Sequence, residues 1–494
     1  MDMSLTAAII VQSSNNITKC RVAFFFLSDR VCSLNDYIIV FLPVKHRDLK
    51  MKHTDSTLME KLTSLCKRRG FIFHSSEIYG GINGFWDYGP YGTALKRAVE
   101  QLWWSYMVET RGNVEGLDST VICHPKVWEA SGHLAKFGDM MTDCRECKAR
   151  HRVDQMENPN ECPNCGSDNL TEPREFNLMM KTFVGPVFDE DHAAYLRAET
   201  CQPIFVDFHH VRIAARQKLP FGIAQVGKAF RNEINPRNFT FRSREFTQME
   251  MEFFCRDEES MDWYEYWKQE RIRYYKEELQ FDDEEIRIHD HGPNELAHYA
   301  KAALDIEFNF PFGWGELEGV HHRGTWDLSR HQEYSGESME YFDQESNSKF
   351  IPTCIETSVG VDRTMLALLC HAYDEDTAET KKEGKAEDAR VVLRFPAKIA
   401  PVQAAVLPLA KKLSEPAEKV YCDIRKYFRS EFDLTGSIGK RYRRQDEIGT
   451  PFCVTFDFDS LEDNAVTVRD RDSMSQERVS LDRIIDVLGK KING

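Results

Sequence analysis

No uninterrupted apolar run in the chain approaches the ~18 residues that a membrane-spanning helix requires, so no membrane partner is expected. A surplus of positive charge is also missing. The 64 Lys and Arg stand against 80 Asp and Glu, a formal charge of −16 at pH 7. That balance excludes a general polyanion binder, and any nucleic-acid partner must be met by local basic patches. Paired cysteines are scarce: of fourteen, ten are scattered singly, which reads as reduced thiols in a reducing compartment, the cytoplasm. Low-complexity sequence is absent apart from one charged stretch. What is present, 41% apolar and 29% charged residues over 494 positions, suits two or three folded domains and excludes wholesale disorder.

Residues 1–55 fit poorly with the rest. "TAAIIV" and "RVAFFFLSDRVCSLNDYIIVFLP" are apolar but broken by charge. No small-residue cleavage site follows a basic start, and the Arg- and Ser-rich, acid-poor composition of an organelle presequence is missing. Two readings stand: an over-extension ahead of a true start at Met51 or Met59, or a genuine extra strand or anchor.

From residue 56 to 375 the pattern is that of one large mixed unit. Its landmarks are the glycine-rich "YGGINGFWDYGPYG", the amphipathic "TALKRAVEQLWWSYMVE", and the aromatic and charged helix "EESMDWYEYWKQERIRYYKEELQF". Residues 376–389, charged and without aromatics, read as a linker. Beyond Arg390, apolar strands alternate with helical stretches to 494, as in a small α/β domain.

The stretch "FRNEINPRNFTFRSREFTQMEMEFF", Phe230 to Phe254, mixes arginines, glutamates and aromatics. Strand alternation puts Arg242, Arg244, Phe246, Gln248, Glu250 and Glu252 on one face. Ser243, Glu245, Thr247, Met249, Met251 and Phe253 fall on the other, whose apolar end can bury. On the preceding arm Arg231 and Glu233 share a face, and "INPRNFT" has the Asn and Pro of a loop. Guanidiniums match phosphate oxygens, an aromatic ring stacks on a base, and a carboxylate accepts from an exocyclic amine. A nucleotide would use all three; a solvated face of cross-strand ion pairs is the competing reading.

Cys144-x2-Cys147, fourteen residues, then Cys162-x2-Cys165 has the spacing of a zinc ribbon within 140–170, two knuckles supplying four thiolates to a structural Zn²⁺.

"FRNE", a loop, then "FRSREFTQMEMEFF" resembles motif 2 of the class II aminoacyl-tRNA synthetases, in the form typical of the dimeric glycyl enzymes. "IETSVGVDRTMLALL" is similar to motif 3 and "STVICHPKVWEASGH" to the motif 1 region. "FWDYGPYGTALK", "RAETCQPIFVDF" and "WGELEGVHHRGTWDL" match further family segments in the expected order, and the likeness covers residues 60–494. It implies an α/β (α+β) fold, with an antiparallel-sheet catalytic domain carrying the zinc ribbon and a C-terminal mixed α/β anticodon-binding domain. It also implies a homodimer that activates glycine with ATP and Mg²⁺ and charges tRNA(Gly).

Roles follow by resemblance. Arg231 would grip the α-phosphate, Glu233 the adenine amine, and Phe246 would stack on the base. Arg242 and Arg363 would hold the outer phosphates, Arg231 and Arg363 being catalytic, with Arg244 in support. Glu316 would be linked to Mg²⁺, and Gly360 would admit the nucleotide to the backbone. Asn232, Phe241, Ser243, Glu245, Leu317, Val361 and Asp362 would complete the nucleotide site. Glu199, Glu250 and Glu356 would take glycine's ammonium, with Arg152, Phe246, Thr247, Gln248, Met249, Thr357, Ser358, Val359 and Gly360 around it.

Two positions depart from the family pattern: Thr357 stands where proline is usual in motif 3, and Ala198 gives "RAET" for "RPET". In the C-terminal part, Lys440, Arg441, Arg443 and Arg444 form a basic cluster suited to RNA phosphates. The competing functions are an inactive synthetase relative, a prolyl or threonyl enzyme, and a zinc-dependent RNA-binding module. Arg231, Glu233 and Arg363 together weigh against the first, three glutamates against the second, and motifs 2 and 3 against the third.

Overall fold

The structure, a computed structural model, describes residues 6–12, 21–25, 37–41, 56–153, 156–292, 295–296, 300–377 and 389–493. The chain divides into two compact units, Met1–His53 and Thr54–Gly494. The first holds three antiparallel strands, with Thr6–Gln12 between Arg21–Phe25 and Tyr37–Phe41. No helix among the described residues is long and apolar enough to cross a membrane.

The second unit is built on seven strands: β1 (Val114–Gly116), β2 (Phe221–Phe230), β3 (Glu245–Cys255), β4 (Ile286–Asp290), β5 (Ala302–Phe310), β6 (Gly313–Gly324) and β7 (Thr353–Gly360). Their order is β4-β5-β6-β7-β3-β2-β1, antiparallel except for the β1–β2 pair. The period-two pattern of β3 decides how this sheet is covered. Met249, Met251 and Phe253 enter a core with helices α1 (Pro90–Trp104), α3 (Ser260–Arg273) and α5 (Val361–Ala372). The other face packs through Ile223, Phe254 and Cys354 against α2 (Cys201–Ala215) and α4 (Trp326–Ser335). That second layer leaves room beside α2 for a pocket over β3, β6 and β7.

Helix α3 is not simply charged outside and aromatic inside. Arg271 is fully buried and donates from Nε to Glu318 Oε1 of β6 at 2.6 Å, while the Tyr275 hydroxyl donates to Oε2 at 2.6 Å. The guanidinium also lies 4.4 Å from the Tyr274 ring centre. This pair ties the helix to the middle of the sheet without exposing either charge.

The C-terminal part holds β8 (Tyr373–Thr377), β9 (Ala389–Leu393), β10 (Ala404–Pro408), β11 (Ser430–Phe432), β12 (Phe452–Phe456), β13 (Ala465–Asp470) and β14 (Gln476–Ser480). The last five form a mixed sheet of order β11-β10-β12-β13-β14. Helices α6 (Ser414–Ile424), α7 (Ile438–Ile448) and α8 (Ile484–Asn493) accompany it. Its own core includes Val406, Ile424, Val454 and Leu488.

The expected boundary at residue 390 is not a clean break. Leu393, Phe395, Ile399 and Ala400 belong to the large core of the seven-stranded sheet. Strands β8 and β9, which take in Asp376, Thr377 and Ala389 at the two ends of the expected linker, pair with each other, and Arg390 donates to Asp376. Residues 378–388 of that linker lie outside the described residues. The basic cluster is likewise partly spent within the fold. Arg441 is buried and donates to the carbonyls of Pro408 and Asp433 at 2.7 and 3.0 Å, and Arg444 pairs with Asp433.

Arg271→Met should leave the Glu318 carboxylate buried without its cation and cost about 3–5 kcal/mol in urea denaturation. Adding Glu318→Leu should recover most of that loss. A loss below about 1 kcal/mol, the scale of an exposed pair, would show that the buried pair does not hold the helix.

Candidate active site

The loop from Arg231 to Arg244 leaves β2 at Phe230 and returns at Glu245, opposite it in the ladder. It is longer than the alternation implied, so Arg231, Glu233 and Arg242 are placed by loop contacts and not by strand geometry. Arg231 Nε donates to the Ala198 carbonyl at 3.1 Å, and its guanidinium lies 5.4 Å from both the Phe137 and Phe246 ring centres. Cation–π contacts with two rings and one anchored nitrogen hold the guanidinium in place. Glu233 faces Arg242 at 3.7 Å.

Across the pocket, Arg363 in the first turn of α5 donates to the carbonyls of Phe241 and Glu316 at 3.2 and 3.0 Å. It also pairs with Glu316 Oε2 at 3.2 Å and stacks 4.5 Å from the Phe241 ring centre. Arg231, Arg242 and Arg363 therefore converge on one end of a cavity of about 270 Å³.

The other end is acidic. Glu199, just before α2, sits 3.3 Å from His133 Nε2 and accepts from Cys201 and Gln202 at 2.9 and 3.2 Å. Burial opposes its charge, but His133 and then Arg323 hold its carboxyl well below the usual range. Glu356 of β7 takes His321 Nδ1 at 2.8 Å and Arg323 Nη1 at 2.5 Å. Against the penalty of burial, those two cations bring it down to about 2. Among the described residues, Glu250 of β3 accepts from neutral groups, namely Thr200, Gln248 Nε2 at 2.9 Å and Ser358 Oγ at 2.5 Å. Burial, with Glu356 and Glu199 nearby, pushes it up to about 7. Deeper still, Glu252 is fully buried, and the Cys354 thiol donates to it at 2.9 Å. Its other oxygen has no hydrogen-bond partner among the described residues. Burial and the nearby Glu356 hold its carboxyl well above the ordinary range.

The lining joins Glu199, Arg231, Glu233, Phe241, Arg242, Ser243, Phe246, Gln248, Glu250, Glu316, Leu317, Glu356, Ser358, Gly360, Asp362 and Arg363. Other expected residues lie elsewhere. Arg244 donates to the Glu233 and Asn83 carbonyls at 2.7 Å each and so braces the loop. Asn232 is bonded through its backbone to Leu178, and Glu245 pairs with Lys228 at 2.8 Å. Thr247 accepts from Lys96 at 2.7 Å, while Met249, Val359 and Val361 are core residues on the far face. Thr357 is buried outside the lining, and Arg152 sits in the cysteine module, 3.1 Å from Asp139. A Cβ at Gly360 would meet nothing of the chain closer than 3.8 Å, so only a bound molecule would require glycine there.

The reading from sequence missed Thr240, Gly319, His321 and Arg323 in the lining and His133 behind Glu199. A Cβ at Gly319 would lie 2.7 Å from the His321 ring, which accounts for glycine at that point. "VHHRG" held the signal, since two histidines and an arginine in a strand otherwise buried need partners.

Away from the pocket, Cys144, Cys147, Cys162 and Cys165 bring their sulfurs within 4.8 Å of one another. The Cys144–Cys165 and Cys147–Cys162 separations are 3.6 and 3.7 Å. Four thiolates about 2.3 Å from one Zn²⁺ in a tetrahedron stand about 3.8 Å apart, so the arrangement fits that ion.

An antiparallel sheet carrying an arginine-lined pocket, joined to a mixed α/β C-terminal part, defines a class II aminoacyl-tRNA synthetase. The family model "tRNA synthetase class II core domain (G, H, P, S and T)" matches residues 184–372, and "Anticodon binding domain" matches 403–491. Among curated relatives, a "Glycine--tRNA ligase" of Bacillus cereus is 49% identical over 461 residues, 88% of this chain and 99% of that protein. The "Glycine--tRNA ligase" of Treponema denticola is 51% identical over 441 residues, 88% and 97% of the two chains. That of Acetivibrio thermocellus is 50% identical over 462 residues, 88% and 98%. The chain belongs to the glycine–tRNA ligase family.

The Glu252 environment makes a test of stability. The folded state holds its proton above the pH at which an unfolded glutamate, at about 4.3, would lose it. Stability from this site is therefore full below that pH and is lost as pH rises toward the raised folded value. Glu252→Gln keeps the shape without the titration. Its melting temperature should exceed the wild type's by a few degrees near pH 8, and the gap should close toward about pH 4.5. A lower melting temperature for the variant at pH 8 would mean that Glu252 serves there as an anion.

Proposed function

We propose that this pocket joins glycine to tRNA(Gly) in two steps with the following assignment of residues. A glycine carboxylate oxygen attacks the α-phosphorus of ATP and pyrophosphate leaves. A terminal hydroxyl of the tRNA then attacks the glycyl carbonyl and AMP leaves. The observation that carries this reading is the polarity of one cavity, cationic at the Arg231–Arg363 end and anionic at the Glu199–Glu250–Glu356 end. A triphosphate suits the first and an ammonium the second.

Arg231, already oriented by Phe137, Phe246 and Ala198, takes the α-phosphate, where charge grows in the transition state. Phe246 stacks on the base, Glu233 accepts from its amine, and Arg242 and Arg363 meet the outer phosphates. Glu316, now paired with Arg363, would hold Mg²⁺, which would neutralise phosphate charge. Glu199, Glu250 and Glu356 receive the ammonium, with Gln248 and Ser358 as the wall. A substrate with a larger side chain is rejected by that wall, so specificity needs no second site. The same reading includes tRNA contact through residues 390–494, supported by the anticodon-binding match, a structural zinc on the four cysteines within 140–170, supported by their clustering, and, by the family resemblance, a homodimer acting in the cytoplasm. In this division, residues 56–375 are the catalytic domain and residues 1–55 an extension outside it.

Arg231→Ala should lower glycine-dependent pyrophosphate exchange roughly 10²–10³-fold, the scale for one lost transition-state donor, with little change in the KM for ATP. Arg231→Lys should fail similarly, because an ammonium lacks the fork. An unchanged exchange rate in a folded variant would remove Arg231 from this role.

Purified protein should contain about one zinc per chain by metal analysis. Cys162→Ser should lose most of it and should weaken tRNA charging more than exchange. Zinc retained in full by that variant would assign the ion to other ligands.

A further inference from the structure

The ammonium end holds five carboxyl groups and few cations. Glu356 and Asp327 share Arg323, and Glu356 also has His321. Glu199 has His133. Among the described residues, Glu250 and Glu252 have no cation at salt-bridge distance. The groups facing Glu250 are Glu199 and Thr200 at the start of α2, Gln248 on its own strand, and Glu356 and Ser358 on β7. Glu252 lies two residues on along the same strand, and Cys201 is nearby on α2. Arg197 acts on Glu250 only at longer range, its Nε and Nη1 being hydrogen-bonded to the carbonyls of Lys228 and Ser119.

A fully ionised ring of this composition would be a buried cluster of negative charge with too little compensation, which a protein avoids by holding protons. Glu252 is sealed beneath the pocket, so no substrate can relieve it. Glu250 lines the cavity, and an arriving cation can.

We propose that glycine binds by exchange with a proton: Glu250 is protonated in the empty pocket and releases that proton to solvent as the substrate ammonium takes its place. This rests on the reading of Glu250 as an ammonium ligand. The charge at the ammonium end is then the same before and after binding, and glycine's own carboxylate adds its negative charge on the side of the arginines. Burial and the two neighbouring carboxylates, which bring Glu250 up to about 7, are consistent with the geometry. The sign follows from mass action. Below that value a glycine must displace a proton, so binding weakens as pH falls; above it the carboxylate is already free. Free glycine remains a zwitterion across the same range and contributes no titration of its own.

The test uses the full-length enzyme and glycine itself. With saturating ATP, the KM for glycine in pyrophosphate exchange should rise about tenfold from about pH 8 to about pH 6, the ratio expected for one proton competing with a pKa near 7, while the KM for ATP stays level. Calorimetric titration of glycine at about pH 6, in two buffers of different ionisation enthalpy, should report close to one proton released per glycine. Glu250→Gln should bind glycine more weakly at every pH and lose the pH dependence. A wild type with a level KM and no proton release would overturn the proposal while leaving Glu250 as an ammonium ligand. A Glu250→Gln variant that keeps the tenfold rise would place the proton on His321 or Glu252 and overturn it as well. If that variant left glycine kinetics untouched, the underlying reading of Glu250 would fall instead. Should it not fold, the wild-type calorimetry decides alone.

Discussion

One guanidinium holds the acidic end of the pocket in place. Arg323 donates to both oxygens of Asp327 at 2.8 and 2.9 Å and to Glu356 at 2.5 Å, and it is itself nearly inaccessible to solvent. A planar fork with three engaged nitrogens cannot rotate without breaking several charge-assisted bonds at once. Asp327 also accepts from Gln202, which takes a contact from His331. The two central strands β6 and β7 are thus tied to helices α2 and α4 through one network. Glu356 cannot move independently of that framework, so it can be offered to a substrate at a fixed place.

The same network explains why so many carboxyl groups tolerate one another. Arg323 and His321, both on β6, satisfy Glu356, and His133 satisfies Glu199 from a separate element. Glu250 and Glu252 remain, served among the described residues by neutral donors. Burial then favours their neutral forms. A site selective for a small cation need not carry permanent excess charge. It needs carboxyl groups whose protons are held loosely enough to be displaced.

What could be read from sequence was whatever regular periodicity controls. The alternation in β3 sends Phe246, Gln248 and Glu250 to the pocket and Met249, Met251 and Phe253 to the core, as period two requires. The four clustered cysteines were legible from their spacing, whereas Arg363 was picked out by the resemblance of its segment to motif 3 and not by periodicity. The alternation fails upstream of Glu245 because residues 231–244 form a loop, where the direction of a side chain depends on tertiary partners. Arg244 therefore braces the backbone and Ser243 lines the cavity, the reverse of the pattern. His133 and Arg323 were invisible as ligands because each meets its partner across the fold, more than thirty residues away in sequence. Arg441 looked like a phosphate contact by charge alone, yet it caps two buried carbonyls.

The cavity's polarity also constrains the order of charge during catalysis. At the arginine end, Arg231, Arg242 and Arg363 are held by carbonyls, aromatic rings and two carboxylates, Glu233 and Glu316. Those carboxylates partly neutralise the arginines while no phosphate is present, so the guanidiniums need not be desolvated without a counter-charge. A phosphate that displaces them gains a fork already pointed at it. At the other end a proton plays the corresponding part for Glu250. Each end thus carries its own stand-in for the substrate charge. Preorganisation of this kind places the cost of ordering in folding, so that binding energy remains for the transition state.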